Sequence, residues 1–244
     1  MSVARADVTT IPDASERPGF LAPGVHIDSD HPDVEAFATT QTAEAASERD
    51  AAVKLYYAVR DGLRYDAYIA GSSVDTLRAS DALRAGRGWC VSKSVLLAAC
   101  ARAVGIGARV GFANVRNHLS TARMREFMGT DVFYYHGYTQ LLIEGRWLKA
   151  TPAFNIELVE KMGLLPLEFD GRADSLYHPF DREGRQHMEY IHDHGVFDEV
   201  PVEAMLASWH ENYPNRSAEG VATDRFAGGG VDFERELVAE LADD

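Results

Sequence analysis

The residue type with the most chemistry to offer in this chain is cysteine, and there are only two, Cys90 and Cys100. Cys90 follows Gly86-Arg87-Gly88-Trp89 and opens the tract CVSKSVLLAACARAV, in which Val91, Ser94, Val95, Ala98 and Arg102 recur at helical steps. A thiol in the first turn of a helix sits where unpaired backbone N–H groups and the positive end of the helix dipole favour an anion. The chemistry this implies is nucleophilic attack on a carbonyl. The same N–H groups, with help from Trp89, would hold the oxyanion of the tetrahedral intermediate. The bland alternative is a buried, inert cysteine. Cys100, set among Ala98, Ala99 and Ala101, reads as that alternative. On one helix the two thiols would lie about 15 Å apart, too far for a disulfide.

A nucleophilic cysteine needs a base within hydrogen-bond reach. Of nine histidines, His136 has the best setting, between Tyr135 and Gly137 on an expected central strand. If Glu144-Gly145 is a two-residue turn, Ile143 faces Arg146. Counting back then sets Ala153 opposite His136, with Thr151 diagonal to it on the same face. Thr151 is therefore a reachable orienting partner, and Asn155 and Asp170 are the alternatives. His187, His192 and His194 suggest a metal cluster at first sight, but His187 and His192 are not at the i, i+4 spacing of helical zinc ligands. No metal and no organic cofactor is expected. The Gly105-Ile106-Gly107 run leaves a helix and enters a strand, the reverse of a phosphate-binding loop, and reads as a helix stop.

These residues need elements to hold them. Short helices are expected over Asp33–Ala38 and Ala79–Arg84, and a longer one over Ala43–Leu63. The RYDAYI stretch, Arg64–Ile69, alternates like a strand. After the Cys90–Val104 helix come a strand over Ala108–Val115, a polar helix over Leu119–Met128, and a hairpin of Val132–Ile143 with Arg146–Thr151. Pro152 ends the pairing. Helices are expected at Ile156–Met162 and Gln186–Asp193. Leu167–Arg185 reads as solvated surface, with a substrate-facing loop as the alternative. Behind Gly228-Gly229-Gly230 an acidic amphipathic helix is expected to dock on its own domain or on a neighbouring subunit. The expected division is an extended arm (1–24), one main domain (25–215) and a joint with the C-terminal helix (216–244).

The chain has 244 residues, 46% of them hydrophobic and 25% charged, which suits a globular domain with one sizeable core. Its net charge of -14 repels phosphate backbones and anionic headgroups, so neither nucleic acid nor a membrane is the expected partner. The N-terminus has no signal-peptide pattern and the chain no long apolar run, so the expected location is cytoplasmic. A homo-oligomer remains open.

Two segments carry a resemblance to a known family. GWCVSKSVLLAACARAVGIGARV resembles the cysteine-helix motif of transglutaminase-like proteins, and HGYTQLLIEGRWLKATPAFN resembles that family's histidine strand, hairpin and return strand. The upstream RDGLRYD is similar to the helix preceding the family's core. The resemblance implies an α+β fold with a papain-like Cys-His-Asp site, its nucleophile helix packed on an antiparallel sheet. It also implies amide hydrolysis or acyl transfer on a small-molecule or peptide acyl substrate. The family's aspartate falls at Thr151, whose neutral hydroxyl can orient an imidazole but cannot stabilise an imidazolium by charge. The expected site is thus Cys90, His136 and Thr151 with Trp89 at the oxyanion. Two rivals stand beside it: a catalytically impaired binding or scaffold protein, and a biosynthetic amide-forming acyltransferase.

Overall fold

The computed structural model describes residues 18–71, 77–118, 120–176, 183–184, 188–215 and 232–243. In chain order it begins with α1 (Pro32–Thr42), α2 (Glu48–Gly62), the two-residue strand β1 (Arg64–Tyr65), α3 (Ala79–Ala85) and a second short strand, β2 (Arg87–Gly88). There follow α4 (Cys90–Ala103), β3 (Ala108–Asn117), α5 (Ala122–Met128), β4 (Val132–Ile143), β5 (Arg146–Ala150) and α6 (Ile156–Lys161). The last elements are β6 (Met188–Phe197), α7 (Val202–Asn212) and α8 (Phe233–Asp243).

Helix α4 is the centre of the molecule. Every residue from Cys90 to Arg102 is buried, so the helix has no solvent face and must be enclosed. α1, α2 and α3 pack on it from one side and β4 from the other. Its two buried cations are satisfied by backbone carbonyls. Lys93 Nζ donates to Arg60 O and Leu63 O at the C-terminal end of α2, and Arg102 donates to Ala22 O, Ala108 O and Asp198 O. Such carbonyls have no partner within their own helix, so a buried ammonium there locks α2 to α4. Burial still pulls the Lys93 ammonium down to about 7.

The main sheet is antiparallel in the order β5-β4-β3-β6. Ile143 pairs with Arg146 across Glu144-Gly145, both of which have positive φ (50° and 76°), the geometry a two-residue hairpin turn demands. The observed mixture of helices and antiparallel strands is the expected α+β class, with the nucleophile-bearing helix laid on the sheet. Several local expectations are corrected. Residues of the expected helix Gln186–Asp193 instead form β6 from Met188 on, paired with β3; Gln186 and His187 lie outside the described residues. The strand expected from Arg64 stops at Tyr65, and Ala67–Gly71 is a 3-10 turn.

Of the expected N-terminal arm, residues 1–17 lie outside the described residues, whereas Phe20 packs edge-on against Trp147 and its carbonyl accepts from Ala108 N. The glycine run 228–230 also lies outside them. Helix α8 docks on its own domain. Phe233 is wedged against Tyr65 and Tyr68, Asp232 and Glu234 pair with Arg64, and Glu236 pairs with Arg123. No described helix is long and apolar enough to cross a membrane.

Candidate active site

Cys90 is the first residue of α4, and Trp89 is its N-cap, in extended conformation. Ser92 Oγ accepts from Trp89 N at 3.0 Å, fixing the turn that delivers the cysteine. The parallel pairing of Tyr65 with Gly88 brings Tyr65 alongside. β4 closes the other side. A Cβ added to Gly137 would stand 2.9 Å from Val91 Cα and 3.1 Å from Cys90 O, so only glycine allows the strand to lie this close to the helix start.

The Cys90 thiol is pushed up to about 12, mainly by burial, with the N–H groups of Gly137, Val91 and Cys90 itself pulling the other way. The helix start therefore favours the anion, as its sequence suggests, but desolvation wins and the resting thiol is protonated. Burial also raises the Tyr65 phenol, and a neighbouring Cys90 charge raises it further.

His136 is buried and lines the same cavity as Cys90 and Trp89. The free space inside the cavity is about 30 Å³, within about 440 Å³ of non-atom space that includes the solvent at its mouth. Tyr65 and Trp89 form one wall, β4 from Phe133 to His136 another, and Met124 and Met128 of α5 a third. Trp209 of α7 and Tyr213 beyond it complete the lining, and α7 was not foreseen from the sequence. Beside His136 the β3–β4 register shifts, and Tyr135 holds φ of 60°, a conformation costly for an aromatic residue. The strain is braced from β3 and β6. Asn114 Oδ1 accepts from Tyr135 N and meets His194 Nε2 at 2.8 Å, while the His194 ring stacks on Tyr135 at 4.1 Å. Asn114, Tyr135 and His194 thus fix the backbone that presents His136.

The three expected third partners stand differently. The hairpin register is the anticipated one, yet the ladder ends at Thr139–Ala150. Beyond it Thr151 N donates to Ser175 O instead of continuing along β4. Thr151 Oγ1 is buried without a hydrogen-bond partner, so it makes no bond to His136. Asn155 is engaged elsewhere. Its Oδ1 accepts from Tyr65 N at 2.9 Å and its Nδ2 donates to Glu157, so its part is to hold Tyr65 in place. Asp170 is exposed and accepts from Arg172 N and Ala173 N in a surface turn. Cys100 is a free, fully buried thiol, as is proper to core packing. His192 and His194 meet edge to face, and His187 lies outside the described residues. Among the described residues no cluster of three metal-ligating side chains occurs.

Residues 35–152, which include Cys90, His136 and Thr151, match the family model of the transglutaminase-like superfamily. No curated protein matches the chain. Among solved structures, a "putative cysteine protease" from Cytophaga hutchinsonii aligns over 60% of this chain and 46% of its own, with 18% identity and a TM-score of 0.43. A "putative protease" from Parabacteroides distasonis aligns over 49% of this chain and 23% of its own, with 14% identity and a TM-score of 0.35. This chain therefore spans less than half the length of either.

Proposed function

We propose, from the match of residues 35–152 to the transglutaminase-like superfamily, that the chain is a cysteine-dependent hydrolase or acyltransferase acting on an amide or related acyl bond. The observation that carries this reading is the meeting of Cys90, at a helix start, and His136, on the strand packed against it, in one cavity. In the reaction, Cys90 Sγ attacks the acyl carbon while its proton passes to His136. The carbonyl electrons move onto oxygen, which would accept from the Cys90 N–H and the Trp89 indole N–H. Collapse breaks the bond to the leaving group, which takes the proton from His136, and a thioester remains on Cys90. Water or an amine then attacks the thioester with His136 as base, releasing acid or amide and restoring the thiol.

Because burial keeps the thiol protonated, its reactivity near neutral pH must come from proton removal by His136 during attack. One observation favours a second reading, a binding protein on the same fold. Thr151 replaces the family's acid, and its hydroxyl bonds to nothing. The two are separated by the rate of Cys90 alkylation by iodoacetamide against pH, in a Cys100→Ala background. The enzyme reading expects a reactive shoulder near neutral pH, abolished by His136→Ala, whose rate then climbs only toward the raised range of the buried thiol, about 12. Identical profiles with and without His136 would refute it. Trapping the acyl-enzyme and offering amines against water then separates transfer from hydrolysis.

A further inference from the structure

The walls around Cys90 are aromatic and apolar. Phe133, Tyr134, Trp209 and Met124 line the cavity, and among the described residues no Asp, Glu, Lys or Arg does. The Trp89 and Trp209 rings meet at 5.6 Å with a 47° tilt, making an angled aromatic corner next to the thiol. The two indoles differ in one respect. Trp209 Nε1 donates to Tyr134 O at 2.9 Å, whereas Trp89 Nε1 is buried with no hydrogen-bond partner. Trp89 is only 8% exposed. A buried donor left unpaired is costly, and among the described residues with such an atom Trp89 is the one that lines this cavity. Trp89 lines the cavity that holds the thiol, so an acceptor on the ligand could satisfy this N–H. Methionine on the facing helix supplies an adaptable, polarisable surface for a flat ring.

We propose that this cavity takes an uncharged aromatic acyl group, its ring packed against Trp209, Phe133 and Met124 and its carbonyl oxygen accepting from Trp89 Nε1. The proposal rests on the reading of Cys90 as nucleophile and adds the class of acyl group. A carboxylated acyl group such as succinyl is excluded. It would enter a site with no counter-charge, in a chain of net charge -14.

The test uses the full chain carrying Cys100→Ala and three alkylating probes: N-benzyl iodoacetamide, iodoacetamide and iodoacetate. Each rate at Cys90 is divided by that of the same probe with glutathione at the same pH, which removes intrinsic reactivity. The benzyl probe is expected to exceed iodoacetamide by about tenfold or more, and iodoacetate to fall below it by about tenfold or more. Phe133→Ala, at a half-buried position, is expected to narrow the benzyl advantage. Normalised rates equal within twofold, or fastest with iodoacetate, overturn the aromatic preference while leaving the nucleophile reading intact. An unchanged pH profile in His136→Ala overturns the nucleophile reading, and the acyl proposal with it, whatever the probes show.

Discussion

Gly137 is where the fold and the chemistry can be perturbed by one methyl group. An alanine Cβ there would lie 2.9 Å from Val91 Cα, 3.1 Å from Cys90 O and 3.3 Å from Cys90 C. All three are backbone atoms of a helix buried on every side, so no side chain can swing away. Carbon atoms pack comfortably at about 3.5–4.0 Å, so β4 and the start of α4 must separate by about 0.5–1 Å. Overpacking of this kind costs about 1–3 kcal/mol. The same shift moves Cys90 away from His136, and a misplacement near 1 Å can lower a reaction rate on the order of 10²-fold. Gly137→Ala should therefore lower the urea midpoint and the neutral-pH alkylation rate of Cys90 together. Gly62→Ala is the control. It ends α2 with nothing within 4 Å of the added Cβ, and should be neutral or stabilising by about 1 kcal/mol. Wild-type stability and wild-type Cys90 reactivity in Gly137→Ala would refute the close approach on which the site depends.

Two further outcomes follow from the same packing. Thr151→Val removes a buried hydroxyl that has no partner, so it should raise stability by about 1 kcal/mol and leave Cys90 alkylation unchanged; a severalfold loss of reactivity would show that Thr151 does orient His136. Phe233→Asp should unseat α8 from Tyr65 and Tyr68 and speed Cys90 alkylation, because Phe233 and Leu237 share a cavity with Tyr65, Ala67, Met124 and Phe133, which also line the Cys90 site. An unchanged rate would mean that α8 does not cover it.

The parts of this structure legible in the sequence are those whose causes are local. Helix α4 shows itself by its alanine and leucine content and by the glycines after it, and the hairpin shows itself by Glu144-Gly145 between two β-rich runs. Its register follows by counting, and Ile143 does face Arg146. The count fails where a tertiary hydrogen bond intervenes, since Ser175 draws Thr151 out of the ladder before it reaches His136. Strand β6 reads as a helix in the sequence because most of it faces solvent, so the segment MEYIHDHGVF shows no clean alternation, and its conformation is set by pairing with β3. The α7 wall is not legible in the sequence, although Val202, Met205, Leu206 and Trp209 recur at helical spacing. That pattern shows an amphipathic helix, not that Trp209 reaches across to Trp89.

The raised thiol and the neutral residue at 151 belong to one electrostatic arrangement. A resting thiolate–imidazolium pair would have to survive in a cavity whose described lining includes no fixed charge, and an acid at 151 would have to ionise at a position only 1% exposed. Desolvation opposes both. With the thiol protonated, there is no thiolate for an imidazolium to answer, and the need for an anion behind His136 is confined to the moments of proton transfer. In the proposed reaction the helix-start N–H groups would act at the same moments, when negative charge passes from sulfur to the carbonyl oxygen. Catalysis as proposed for this site would draw its charge stabilisation from oriented dipoles rather than from a third ionised residue. Its rate should then depend on how closely α4 and β4 approach at Gly137 more than on what stands at residue 151.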